Sequence, residues 1–391
     1  MKKILAIAFI ILISSSVLLL GIYKYSGTKN QIPKTGTPES APITPPIIVE
    51  IKENATRTSA TSTETNKNPP AKLGVVTATT TNKTIVTTKI VTPPQATTTP
   101  VTPEIPPEPP PDFGLINTFA RTALVNILCS TKGNELSPIS GSGIVISPSG
   151  IILTNAHLGQ YFLLRDLYEK NYLQCAIRTG SPAYPRYHAE LVYISPLWVE
   201  ANKKILREAE QASNGENDYA FLHITDAIDG TKLPVFPYLT ANTSENINAD
   251  EPVILVSYPA GFLGGLSILQ GLNVTSAVTT IQNVFTFKSG TKDVMGVGGT
   301  IVSQRGASGG GVIDGHSTLI GIISTLSNAS TTSSRDLNAI TVPYINRSLK
   351  NEAGITIPDL LTLDVSIFAK NFWDNQAPAL IKTITDAIAS Q

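Results

Sequence analysis

The sequence predicts an all-β domain of many short antiparallel strands over residues 113–350, preceded by 112 residues that supply no core. Three observations predict it. Short apolar runs, mostly four to seven residues long and rich in Ile, Val and Thr, recur between Gly, Pro, Asn or Ser turn signals. Charged residues are only 15% of the chain and Pro and Gly number 28 each, which argues against a long helical bundle. The 238 residues from Phe113 to Lys350 are enough for a sizeable core. Such strands favour an antiparallel sandwich or a pair of barrels.

The N-terminal segment divides in two. Ile4–Ile22 is almost wholly apolar, broken only by Ser14, Ser15, Ser16 and Gly21, and follows Lys2 and Lys3. At about 1.5 Å per residue it spans about 28 Å, close to the hydrocarbon thickness of a bilayer. The lysines favour a cytoplasmic N-terminus. Residues 1–25 are read as a transmembrane anchor. A cleaved signal peptide is the alternative, although no A-x-A pattern follows the run. Residues 26–112 hold 16 Pro, 21 Thr and no aromatic residue. Such a chain buries too little to offset its ordering entropy, so a disordered linker is expected. It would reach roughly 50 Å as a flexible coil and up to about 270 Å as polyproline.

Composition excludes several functions. Lys plus Arg is 29 and Asp plus Glu is 29. A chain without basic excess is a poor nucleic-acid binder. Two cysteines exclude a disulfide scaffold or a four-Cys site, and four histidines leave little for a His-rich metal site. Neither a cofactor nor a metal is implied.

Along the domain, strands are expected at Leu124–Cys129, Ser142–Ile146, Ile151–Thr154, Cys175–Arg178, Glu190–Ile194, Tyr219–Ile224, Pro252–Ser257, Val274–Thr280, Val284–Phe287, Val312–Ile313, Leu319–Ser324 and Ala339–Val342. Glu200–Ala212 has a charged, helical pattern and reads as an insertion between strands. A helix is expected after Pro343. Residues 351–391 form a helical tail, with an amphipathic helix over Asn371–Ser390.

Three motifs carry chemistry. Gly141 to His157 (GSGIVISPSGIILTNAH) reads as a hairpin with a His at the end of its second strand. Asn217 to Leu222 (NDYAFL) places Asp218 at the mouth of an apolar strand. Gly306 to Gly311 (GASGGG) sets the Ser308 hydroxyl among glycines ahead of another strand. Glycine permits unusual dihedrals and lets successive N–H groups converge on one point.

In this order and spacing, His157, Asp218 and Ser308 resemble the triad of the chymotrypsin-like (trypsin-fold) serine proteases. The likeness is greatest to the HtrA/Deg branch. That branch has G-S-G and T-N-x-H in its hairpin, D-hydrophobic-A at its Asp strand, and a G-N-S-G-G nucleophile loop. Val256 to Gly261 (VSYPAG) and Asn338 to Pro343 (NAITVP) resemble two of its later segments. The resemblance covers about 115–350. It implies two six-stranded antiparallel barrels and a Ser-His-Asp mechanism. A neutral His157 takes the Ser308 proton, a buried Asp218 orients the imidazole, and the N–H groups of Gly306 and Ser308 form the oxyanion hole.

This sequence departs from the family at several points. Ala307 stands where pancreatic-type enzymes carry the Asp that pairs with a freed N-terminus. Arg305 replaces the Pro common in the HtrA branch, and Gly311 replaces another Pro. The roughly forty residues after Lys350 are too few for a PDZ domain. Val302, six before the nucleophile, gives the first specificity pocket no counter-charge. With Ile323, Ser324 and Thr325 as the wall, the resemblance implies a small or medium apolar substrate residue. Cys129 and Cys175 fall in strands of the first barrel and are expected to pair outside the cytoplasm. Two buried free thiols are the alternative.

The sequence therefore predicts a membrane-tethered extracytoplasmic serine endopeptidase, periplasmic or at the cell surface, acting on polypeptides. The alternatives are an inactive protease-fold binding module displayed on a stalk and an adhesive protein in which the Thr-rich stalk matters.

Overall fold

The computed structural model of the chain describes residues 109–390, except Asn134, 208–213, Phe262, Ser289 and 327–335. The apolar run Ile4–Ile22 and nearly all of the Pro/Thr-rich linker lie outside the described residues. Among the described residues no helix is long and apolar enough to cross a membrane.

The chain enters on helix α1 (Phe113–Ala123), whose first N–H groups, on Gly114 and Leu115, donate to the Asp112 carboxylate. Ile116, Ala120 and Ala123 form its buried stripe. Then come β1 (Leu124–Thr131), β2 (Ile139–Val145), β3 (Ile151–Thr154), β4 (Leu173–Thr179), β5 (Tyr184–Ile194) and β6 (Ala220–Ala227). They close an antiparallel barrel in the order β1-β2-β3-β6-β5-β4. Cys129 faces Cys175 across the β1–β4 ladder, and a disulfide joins them over 46 residues of chain. Closing a loop of that length restricts the unfolded chain by roughly 4 kcal/mol.

The second half corrects the expectation of another six-stranded barrel. Strands β7 (Pro252–Ser257), β8 (Thr275–Thr280), β9 (Asn283–Phe285), β10 (Val294–Gly296), β11 (Gly311–Ile313), β12 (Leu319–Leu326) and β13 (Leu337–Thr341) form a seven-stranded sheet. Its order is β8-β7-β11-β12-β13-β10-β9 and it stays open. Two residues join β8 to β9, and Ile281 and Gln282 N–H groups bond Glu251 and Gly296 carbonyls. The two edges thus meet at a corner with no ladder between them, and β9 and β10 are only three residues long.

The helices differ from the sequence reading in detail. Helix α2 (Ala156–Leu163) follows β3 directly. In place of the expected Glu200–Ala212 helix, α3 (Pro196–Asn202) starts earlier, with Ser195 Oγ accepting Trp198 N–H, and a 3-10 turn follows at Ile205–Arg207. Residues 208–213 lie outside the described set. A short α4 (Gly265–Gln270) follows β7. After Thr341 comes α5 (Val342–Ala353), then α6 (Ile357–Thr362), α7 (Val365–Asn375) and α8 (Ala377–Ala389). The single helix expected over Asn371–Ser390 is two, because Pro378 lacks the N–H a continuing helix needs. Trp373 Nε1 donates to Leu191 O of β5 at 2.9 Å, and Leu360, Phe372 and Leu380 share a core with Ile127, Leu191 and Phe221. A second core, of Val253, Leu255, Met295, Val312 and Ile323, lies in the open sheet.

Candidate active site

Three segments converge where the barrel meets the sheet. The β2–β3 hairpin ends at Thr154, and α2 starts at once, so His157 sits in its first turn. β6 starts just after Asp218, and Ser308 lies in the turn ahead of β11.

The Asp218 carboxylate is 1% exposed and accepts three donors. His157 N–H donates to Oδ1 at 3.0 Å, and Ser324 Oγ donates to Oδ2 at 2.8 Å. His157 Nδ1 lies 3.0 Å from Oδ2 and 3.2 Å from Oδ1. A carboxylate only accepts, so Nδ1 carries a proton, and in the neutral imidazole Nε2 then keeps its lone pair. Asn155 Nδ2 donates to the Asp218 carbonyl at 2.9 Å, which ties the start of α2 to the Asp turn. A buried carboxylate this well bonded offsets much of its desolvation.

The Gly306–Gly311 loop is strapped to the first barrel through Ser142, the serine of the GSG motif. Its N–H donates to Ser308 O at 2.7 Å. Its hydroxyl donates to Gly306 O at 2.9 Å and accepts Tyr258 N–H at 2.9 Å. Gly306 and Gly309 have φ of 90° and 79°, in the left-handed region that favours glycine. A Cβ on Gly309 would lie 2.0 Å from Ser142 O.

The Arg305 carbonyl accepts Ala260 N–H at 2.7 Å. In a trans peptide the N–H is antiparallel to the C=O, so Gly306 N–H points away from Ala260. Among the described residues neither Gly306 N–H nor Ser308 N–H has a hydrogen-bond partner, so both donors are available to an anion. Among the same residues no hydrogen bond joins Ser308 Oγ to His157 Nε2. Such bonds are often long before substrate binds.

The expected pocket residues are placed differently. Val302 and Ile323 are 0% and 1% exposed, packed in the second core with Ala307 and Val312, so neither presents surface to a substrate. Ser324, on β12, turns its hydroxyl to Asp218. The Thr325 side chain lies outside the described residues. The other histidines stand apart. His188 Nδ1 pairs with Asp226 Oδ1 at 2.6 Å on the exposed barrel surface, and that bond holds the Asp226 carboxyl below its usual range. His223 lies along β6, where burial lowers its pKa. His316 occupies the turn capped by Asp314. Among the described residues no three His, Cys, Asp or Glu side chains cluster to hold a metal.

Sequence reasoning missed Ser142 and the Asp218 contact of Ser324. For Ser142 the signal was its place between Gly141 and Gly143, where a small polar side chain meets a neighbouring backbone.

No curated protein matches the chain. Among solved structures it is similar to one described as Deg5, at 15% identity over 64% of this chain and 94% of that one, with a TM-score of 0.41. It is also similar to a serine endoprotease from Yersinia pestis, at 18% identity over 62% of this chain and 67% of that one, with a TM-score of 0.39. Residues 141–322, which contain all three motifs, match the family model of the trypsin-like peptidase domain.

Proposed function

We infer that the chain is a serine endopeptidase, with Ser308 as nucleophile, His157 as general base and Asp218 as the carboxylate that orients it. One observation carries the reading: His157 Nδ1 is fixed on a buried Asp218, which leaves Nε2 as a base, in a region that matches the trypsin-like peptidase family model. Ser308 attacks the scissile carbonyl as Nε2 takes its proton. The imidazolium then delivers that proton to the leaving amine. Gly306 N–H and Ser308 N–H hold the oxyanion, each such donor being worth about 3 kcal/mol.

The HtrA-like motifs, the apolar run Ile4–Ile22 and the Pro/Thr-rich linker support an enzyme tethered to a membrane and working outside the cytoplasm. The bonded Cys129–Cys175 pair suits an oxidising compartment. A second reading, an inactive binding module, has one observation in its favour, the absent Ser308–His157 hydrogen bond.

Digestion of unfolded casein, with the new termini mapped, separates the two readings. The peptidase is expected to release peptides from casein, with cuts after the small or medium apolar residues that the sequence resemblance implies. Uncut casein would favour the binding module. Cuts mainly after Lys or Arg would contradict that preference.

A further inference from the structure

Tyr344, Ser348 and Glu352 recur every four residues on α5 and so share one face. That face delivers polar groups to the turn that presents Asp218. Tyr344 Oη accepts Asn217 N–H at 3.0 Å and donates to Asn217 Oδ1 at 2.7 Å, closing a ring around one residue. Ser348 Oγ lies 2.9 Å from the same Oδ1 and 2.6 Å from Glu352 Oε1. Glu352 also accepts Tyr219 Oη at 3.0 Å on Oε1 and Ser195 Oγ at 2.7 Å on Oε2, both from the first barrel.

Asn217 holds a φ of 57°, a left-handed conformation uncommon for L residues but one that asparagine adopts more readily than most. Directly after it the chain makes a tight turn around Asp218, with Tyr219 N–H bonding Asn217 O at 2.8 Å. A shift of Asn217 therefore moves the Asp218 backbone, and with it the carboxylate that holds His157.

We propose that Tyr344 is a positioning residue for Asp218: its hydroxyl locks the Asn217 turn and so sets the carboxylate against His157 Nδ1. Burial pushes the Tyr344 phenol above its ordinary pKa, so it remains a donor at working pH. Its ring packs on Phe287 at 5.0 Å between centroids. Phenylalanine would keep that packing and lose only the hydroxyl. The kinetic consequence rests on the peptidase reading, whereas the geometric one does not.

The test uses the full chain and two readouts. The first is the low-field proton resonance of His157 Nδ1–H, identified by its loss in His157→Ala. The second is the rate at which a fluorophosphonate labels Ser308. In Tyr344→Phe the resonance is expected to shift or broaden. Labelling and kcat are expected to fall about ten- to a hundredfold with KM unchanged, the size of effect that misplacing a catalytic group produces. Should Tyr344→Phe fail to fold, Asn217→Gly serves instead, since glycine accepts the left-handed backbone and removes Oδ1. A resonance that moves while neither protein labels upholds the positioning role and sinks the peptidase reading. A resonance identical to wild type in a folded variant, even one with a lowered melting temperature, overturns the proposal.

Discussion

Ser308→Ala is expected to lower peptide hydrolysis by about 10⁴–10⁶-fold, the usual consequence of losing a triad member. The change removes only Oγ, which makes no hydrogen bond to His157 among the described residues. The straps that hold the loop are backbone bonds of Ser308 and Gly306 to Ser142 and are untouched. The folded protein should therefore melt within a degree or two of wild type. Casein turnover by a clean Ser308→Ala preparation at near wild-type rate would show that another group attacks. A rate lost together with the fold would make the variant uninformative about chemistry, so melting is measured on the same sample. Activity of the wild type should also fall on acidification, because only a neutral imidazole accepts the serine proton.

Gly309→Ala is expected to disable the site through the backbone. An alanine there takes a left-handed conformation, which costs roughly 1–2 kcal/mol for an L residue. Its Cβ would also fall 2.0 Å from Ser142 O and 2.5 Å from Thr154 Oγ1, whose own hydrogen bond to that carbonyl is 2.7 Å long. The loop and β2 must separate, and the Ser142 N–H to Ser308 O bond goes with them at about another 1 kcal/mol. The sum is roughly 2–3 kcal/mol of stability. With Ser308 displaced, a rate loss above about a hundredfold follows. Urea unfolding and Ser308 labelling check both parts. Wild-type values for Gly309→Ala would mean that the loop is not packed against β2.

The candidate triad was read from the order and spacing of three motifs, each ambiguous alone, and from their resemblance to a family, and the structure brings His157 and Asp218 of it together. What escaped the sequence depends on contacts between distant segments. Ser324 reads as pocket wall by its place after Gly321, but its hydroxyl donates to Asp218. Tyr344, Ser348 and Glu352 look like an ordinary polar helix stripe until the fold sets them on Asn217. Val302 was expected to leave the first specificity pocket without a counter-charge, yet its side chain is buried in the second core. The open sheet was also hidden, because local periodicity reports strands and not whether their edges close. β10 holds three residues, including Gly296, too few for a period-2 pattern. Most strand positions were visible, since turns and β-branched runs are local features.

The central claim is that Ser308 is a nucleophile activated by His157. Peptide mapping of the fluorophosphonate-treated full chain tests it most directly. The expected result is one adduct, on Ser308, in the wild type, and its disappearance in His157→Ala and in heat-unfolded protein. An unlabelled Ser308 in folded wild type, or labelling that survives His157→Ala at an equal rate, would contradict it.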